Sequence, residues 1–169
     1  MSINHSSFTL ERRYRCTAAQ AFSAFSDPDL KLKWFAPPDE WSETQYELDF
    51  RVGGREVSVG RDPSGTFHGF RSRFHDIVDD ERIVYAYDLH LDDRLVSVSL
   101  ATVELQKDGD RTRLALTEHG AFFDELEDPS LRANGTGALL DALGKFFDGR
   151  QPDDAGTPAP TPCRRSPAL

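Results

Sequence analysis

Glu118 and His119 are the residues whose types and position best suit acid–base chemistry. A glutamate buried in apolar surroundings has a raised pKa and can exchange protons with a bound molecule. Glu118 shares the strand alternation of Leu114 and Leu116, so it can face the interior, and His119 must then face outward. The simpler interpretation, which we favour, is a solvated strand end. The catalytic residues stay unknown, with Glu118 as the candidate.

The other reactive residue types form no recognisable constellation. No two histidines have metal-ligand spacing, and Asp92-Asp93 is better explained as a turn. Gly53-Gly54 joins two predicted strands and opens no helix, so it does not resemble a phosphate-binding loop. No serine or cysteine has a nucleophile motif around it. We therefore expect no metal and no cofactor, and place His68 and His90 at the mouth of any pocket.

A second group of side chains could hold a ligand without reacting with it. Concave sites lined by aromatic residues and a few polar groups are typical small-molecule pockets. Each aromatic residue alone is more simply explained as core, so the prediction depends on the architecture that gathers them. The candidate ligand-binding residues are Trp34, Phe35, Tyr46, Phe50, Phe70, Phe74, Tyr85, Tyr87, Glu118, Phe122, Phe123, Leu139, Leu143 and Phe147.

Composition excludes several classes of partner. The chain has 169 residues and a formal net charge of -9, with no long basic stretch, which argues against nucleic acid and anionic membranes. No signal peptide and no apolar run of membrane-spanning length is recognisable. Cys16 and Cys163 are expected to be free thiols in a reducing compartment. The cytoplasm is the expected location.

The first elements are predicted as a strand and two helices. Residues 8–15 alternate as a strand does. Thr17 and Gln20 form a capping box that opens a helix, and Asp27-Pro28 starts a second short helix. Pro37-Pro38 ends that helix.

A β-rich region follows. Six strands are predicted at 42–51, 56–61, 67–78, 83–90, 95–105 and 112–117. Short turns join them, so consecutive strands should be antiparallel neighbours. On the 67–78 strand, Arg71, Arg73 and His75 share the solvent face, opposite Phe70 and Phe74.

The C-terminal part is predicted as a loop, a long helix and a tail. Residues 120–127 form the loop, and Asp128-Pro129 starts a helix over 130–148. Its apolar stripe comprises Leu131, Leu139, Leu140, Leu143, Phe146 and Phe147. We expect one ligand-binding domain over 1–149 and a disordered, proline-rich tail over 150–169.

These elements predict an α+β fold in which a seven-stranded, curved antiparallel sheet surrounds the long C-terminal helix, with two short helices after the first strand. That helix should be roughly 25 to 30 Å long at 1.5 Å per residue. A twisted sheet curls, and one helix lying across its concave side cannot fill the hollow. We therefore predict a cavity between sheet and helix.

Five motifs, in this order, resemble the START-like (SRPBCC) superfamily. They are WFAP (34–37), DFRVGGR (49–55), GTFHGFRSRFHDIVDDERIVYAY (65–87), GDRTRLALTEHG (109–120) and GTGALLDALGKFF (135–147). More narrowly, they resemble the branch named for activators of heat-shock-protein ATPase homologues, which includes polyketide cyclase-like proteins. The resemblance covers about residues 8–148. It implies a helix-grip fold with a hydrophobic cavity.

Three functions remain open. The first is binding of a small hydrophobic or aromatic metabolite, lipid- or polyketide-like, without covalent chemistry. The second is an enzyme, a cyclase, dehydratase or hydrolase acting on such a molecule, with Glu118 or a pocket tyrosine as acid or base. The third is an interaction with a chaperone, as the family name implies, or a homodimer formed through an exposed sheet edge. We rank them in this order.

Overall fold

The structure, a computed structural model, describes residues 1–150. Apart from Arg150, the predicted tail lies outside the described residues, and so does Cys163. The strands are β1 (Ile3–Tyr14), β2 (Ser42–Leu48), β3 (Arg55–Arg61), β4 (Phe67–Val78), β5 (Arg82–Leu91), β6 (Arg94–Asp108) and β7 (Arg111–Phe123), and the helices are α1 (Ala18–Ser26), α2 (Pro28–Phe35) and α3 (Pro129–Asp148).

The sheet has seven strands in the order β1-β7-β6-β5-β4-β3-β2, and every neighbouring pair is antiparallel. Strands β2 to β7 pair in sequence order because short turns leave them no other neighbour. β1 adds to the far side of β7. This confirms the predicted α+β fold with a curved antiparallel sheet and a long C-terminal helix.

Both ends of α1 and the start of α2 form as the sequence indicates. Thr17 accepts a hydrogen bond from the Gln20 N–H at 3.1 Å, and the Gln20 side chain accepts one from the Thr17 N–H at 2.9 Å. Asp27 accepts from the N–H groups of Asp29 and Leu30. These local bonds satisfy donors that a helix start leaves free.

Two predicted boundaries near the chain ends are wrong. β1 begins at Ile3 instead of residue 8, and β7 continues to Phe123, so residues 120–123 are strand and not loop. The two extensions pair with each other in the register Ile3↔Phe123. Each supplies the other's backbone hydrogen bonds, which makes extended structure favourable where side-chain alternation is weak.

Two further boundaries are also wrong: β6 continues to Asp108 although a strand to residue 105 was predicted, and β2 ends at Leu48 although a strand to residue 51 was predicted. A compact turn replaces the last residues: the Asp49 N–H donates to the Arg55 carbonyl at 2.8 Å, and the Gly54 N–H donates to the Arg51 carbonyl at 2.8 Å. A Cβ on Gly54 would lie 2.0 Å from the Asp49 carbonyl oxygen. Only glycine fits this turn.

Helix α3 lies against the concave face of the sheet and is held to β1 by polar contacts. The Tyr14 hydroxyl donates to the Leu140 carbonyl at 2.7 Å, and Arg12 pairs with Asp141 at 2.8 Å. Its apolar stripe is buried at Leu140, Leu143 and Phe147. These side chains pack with residues of the sheet and of α1 and α2, namely Phe22, Phe25, Trp34, Phe74, Ile83, Val103 and Leu114.

The outer face of the sheet is solvent-exposed where the pattern predicted it. Arg71, Arg73 and His75 are exposed on β4, whereas Ser72 and Phe74 between them are buried.

Cys16 is buried with a free thiol, and burial raises the pKa of this thiol to about 11. None of the helices in residues 1–150 combines the length and hydrophobicity needed to span a bilayer.

Candidate functional site

A cavity of about 550 Å³ lies between α3, the inner face of the sheet, and α2 with the segment that follows it. The exposed residues Ala36, Pro38, Leu131 and Gly135 belong to its wall and mark where it reaches the surface. The interior wall is mainly aromatic and aliphatic. It includes Phe25, Trp34, Phe35, Trp41, Val59, Phe70, Tyr85, Tyr87, Leu89, Leu91, Val96, Leu116, Leu126, Leu139 and Leu140.

Seven of the candidate residues chosen from the sequence line this cavity. They are Trp34, Phe35, Phe70, Tyr85, Tyr87, Glu118 and Leu139. His68 and His90 also line the cavity, and their place at its mouth stays a prediction. Contact of these side chains with a ligand stays a prediction.

The other seven candidates lie outside the cavity wall. Tyr46 donates to Glu56, and Phe123 pairs with Ile3 at the end of β7. The remainder fill the interior: Phe50 and Phe74 pack edge-on near Phe22, Phe147 packs against Tyr14, Phe122 lies under the Arg132 guanidinium, and Leu143 is fully buried. Phe123 lies on the face of β7 opposite to Phe122 and Glu118, because neighbouring strand residues point to opposite sides. The other six were placed on the inner side, but α1 and the C-terminal half of α3 fill part of the hollow.

Glu118 is buried at the cavity wall, with only 3% of its surface exposed. The expectation of a solvated strand end is therefore wrong, while His119 is exposed as alternation required. The pairing of β7 with both β1 and β6 places Glu118 in the middle of the sheet. There α3 covers it, and the sequence pattern alone does not reveal that coverage.

Arg132 on α3 organises the polar end of the cavity. Its guanidinium donates to Ser97 at 2.7 Å, to the Tyr87 hydroxyl at 2.8 Å and to Glu118 Oε1 at 3.3 Å. It also binds Glu127 through both carboxylate oxygens, at 3.0 and 2.6 Å. This bidentate geometry is the favoured one for arginine and carboxylate.

The ionisation of this group follows from its contacts. Burial alone would lower the pKa of Arg132, but Glu127, Tyr87 and Glu118 raise it, so the guanidinium stays charged. Burial, followed by the negative charge of Glu118, raises the pKa of Tyr87. Tyr87 is therefore a neutral hydroxyl that donates to Glu118 Oε1 at 2.8 Å.

One oxygen of Glu118 remains available. Both hydrogen bonds that Glu118 receives from the described residues, from Tyr87 and Arg132, reach Oε1. Oε2 receives none, and the side chain lines the cavity. Glu118 Oε2 can therefore accept a hydrogen bond from a bound molecule.

A second buried ion pair lies on the α2 side. The Lys31 ammonium is 3.1 Å from Glu56 and lies over the rings of Phe25, Trp34 and Phe35, at 5.2, 4.9 and 4.6 Å from their centroids. Aromatic faces attract such a cation. Burial, and then the charge of Glu56, raises the pKa of Tyr46, which donates to that carboxylate. Lys31 thus occupies a space that three rings and a carboxylate would otherwise offer to a ligand cation.

Tyr85 lies between the two ion pairs. Burial, with further contributions from Tyr87, Glu56 and Glu118, raises its pKa well above the usual value, so its hydroxyl is neutral. Within residues 1–150 this hydroxyl has no hydrogen-bond partner, and the side chain lines the cavity.

Three partly exposed side chains of the cavity wall are Trp41, His68 and His90. Trp41 packs on the His68 ring with centroids 4.4 Å apart, and His68 contacts Asp62 at 2.8 Å. His90 lies 3.0 Å from Asp88. Among the described residues, no group of three or more His, Cys, Asp and Glu side chains could hold a metal ion.

Sequence reasoning missed the two cavity cations, although their spacing offered a signal. Arg132 precedes Leu139 and Leu140 by two helical turns, and Lys31 precedes Trp34 and Phe35 by one turn, so both lie on buried stripes. Leu131 was assigned to the stripe and is 60% exposed, whereas Arg132 is 7% exposed. Two glutamates and two serines around Arg132 make its burial favourable.

The fold and the cavity define the class of protein: it is an α+β helix-grip protein whose sheet and C-terminal helix enclose a pocket. Within this class, residues 15–148 match the sequence profile of the family described as "Activator of Hsp90 ATPase homolog 1-like protein". The chain belongs to this family.

Solved bacterial structures share both fold and sequence with the chain. Protein Mll3558 of Rhizobium loti is 40% identical with a TM-score of 0.81, over 86% of this chain and 99% of that one. A Rhizobium leguminosarum protein is 36% identical with a TM-score of 0.83, over 87% and 97%. Protein CV1439 of Chromobacterium violaceum is 25% identical with a TM-score of 0.71, over 85% and 98%. No curated protein has a significant match to the chain.

Proposed function

We propose that this protein binds a small, mainly apolar or aromatic organic molecule in the cavity between the sheet and α3. The observation that carries the proposal is the cavity itself, about 550 Å³ and lined largely by aromatic and aliphatic side chains. Small-molecule pockets have volumes of about 300 to 1,000 Å³ and the same composition, with a few convergent polar groups. The catalytic and chaperone-partner hypotheses stay predictions.

Gly135 offers a way to block the cavity without disturbing the fold. A Cβ at this position would meet no atom within 4 Å, and the residue lies in the cavity wall. Leucine at a glycine position in a helix also stabilises the helix by about 0.8 kcal/mol. Gly135→Leu should therefore fold at least as well as the native chain while narrowing the mouth.

The test is calorimetric titration with 2-naphthalenemethanol. We expect measurable binding to the native chain and affinity at least about tenfold weaker in Gly135→Leu, a loss of about 1.4 kcal/mol. Asn134→Leu adds a similar side chain to an exposed neighbouring position outside the wall, so it should bind as the native chain does. Equal affinity in all three proteins, or no binding to the native chain, contradicts the proposal.

Tryptophan emission gives an independent readout. The chain has two tryptophans, Trp34 and Trp41, and both line the cavity. Titration with 1-decanol, which does not absorb in this range, should change the emission in the native chain and much less in Gly135→Leu. A bound molecule should also raise the melting temperature, because saturation at about 100 times the dissociation constant adds about 2.7 kcal/mol to stability.

A further inference from the structure

The charges around the cavity do not balance. Lys31 is matched by Glu56, and Arg132 is matched by Glu127, whose two oxygens both accept from the guanidinium. Glu118 is the remaining carboxylate, 3% exposed, with Arg132 reaching it only at 3.3 Å. Of the two histidines in the cavity wall, His68 is hydrogen-bonded to Asp62, and His90 lies 3.0 Å from Asp88.

A carboxylate oxygen that faces a cavity and receives no hydrogen bond from the protein favours a bound molecule that donates to it. Glu118 Oε2 has no donor among the described residues and belongs to the cavity wall. A neutral hydroxyl can donate to it, but a protonated amine forms the stronger, charge-assisted bond. The amine also offsets the surplus negative charge and is attracted by aromatic walls.

From these contacts we infer that the cavity selects ligands whose apolar or aromatic body carries a protonated amine, and that Glu118 Oε2 binds that amine. Ligands with a carboxylate at the same place are excluded, because they would bring a second negative charge against Glu118 in a buried site. This inference rests on the proposed function and adds the chemical class of the ligand's polar end.

The experiment compares three probes with one naphthalene body by calorimetry at pH 7. They are 2-(aminomethyl)naphthalene, which is protonated, 2-naphthalenemethanol and 2-naphthoate. We expect the amine to bind about tenfold tighter than the alcohol and the carboxylate at least about tenfold weaker than the alcohol, as charge-assisted bonds exceed neutral ones.

Glu118→Gln keeps the shape of the side chain and a hydrogen-bond acceptor but removes the negative charge. The affinities of the amine and the alcohol should therefore differ by no more than about twofold in this variant. Glu104→Gln removes the same charge from an exposed position on the outer side of the sheet and should keep the full preference. Melting curves check that both variants fold.

Three outcomes overturn the inference. Equal affinity of the native chain for amine and alcohol does so without any variant, while leaving the proposed function intact. A tenfold preference that survives Glu118→Gln places the amine elsewhere and also overturns it. If none of the probes binds, the proposed function fails and the inference fails with it.

Discussion

Arg132 is a charged residue at a position where helix packing would ordinarily favour an apolar one. It is buried between α3 and the sheet and is held there by Glu118, Glu127 and Ser97. Burying ions costs desolvation free energy that the partners must offset. Loss of one partner is therefore more damaging than loss of the whole pair.

This asymmetry predicts the effect of Arg132→Met. The substitution removes the guanidinium that contacts both Glu127 and Glu118, and it should lower the free energy of unfolding by about 3 kcal/mol. In the double variant Arg132→Met with Glu118→Gln, about half of that loss should be recovered. Urea denaturation measures both. Strict additivity of the two substitutions would contradict the coupling between these side chains.

The sequence predicted the burial and the partners of single side chains less well than it predicted helices and strands. Glu118 could be placed on the inner face but was expected in solvent, because nothing in its own neighbourhood shows that α3 covers it. Lys31 and Arg132 were not chosen as site residues, although each lies at helical spacing from apolar residues that are buried. A charge at such a position indicates a partner that is distant in sequence, and only tertiary structure identifies the partner.

Helix starts were the elements that the sequence predicted best, because their determinants are local. The reciprocal bonds between Thr17 and Gln20 join residues three positions apart. The caps at Asp27 and Asp128 likewise accept from N–H groups two or three positions further along the chain. Strand ends were predicted less well, since residues 3–7 become strand only by pairing with residues 119–123, which lie far away along the chain.

The cap of α1 gives a clean test at this scale. Thr17→Ala removes the acceptor for the Gln20 N–H and should cost about 1 kcal/mol of stability. Thr17→Ser keeps the hydroxyl and should stay close to the native value. Chemical denaturation of the three proteins checks the order. An alanine variant as stable as the serine variant would mean that the capping box contributes little here.

At the scale of the whole molecule, the first strand anchors the last helix. Tyr14 is 5% exposed, and its hydroxyl reaches the carbonyl of Leu140 near the middle of α3. Arg12 adds a more exposed contact to Asp141. These bonds set the height of α3 above the sheet, and that height determines how much space is left for the cavity. The sequence could predict, from the lengths of the sheet and the helix, that a cavity exists. It could not predict where along the strands the cavity lies.

Removing the Tyr14 hydroxyl should loosen this anchor. We expect Tyr14→Phe to lower the free energy of unfolding by about 1 kcal/mol, the usual net value of a buried hydrogen bond. Tyr85→Phe makes the same chemical change where the hydroxyl has no partner among residues 1–150, and should alter stability by less than about 0.5 kcal/mol. Thermal or urea unfolding compares them. Equal losses of unfolding free energy in both variants would show that the hydrogen bond from Tyr14 to Leu140 does not stabilise the fold.

The position of β1 beside β7 also constrains how the chain is made. Strands β2 to β7 can pair one after another as hairpins during translation. In contrast, β1 can pair only after residues 111–123 have left the ribosome, because β7 is its partner. Until then the apolar side chains of Phe8 and Leu10 have no surface to cover them. Such late, long-range closure slows folding and exposes the nascent chain to aggregation. The first strand is thus the segment that stays unpaired longest while the chain is being made.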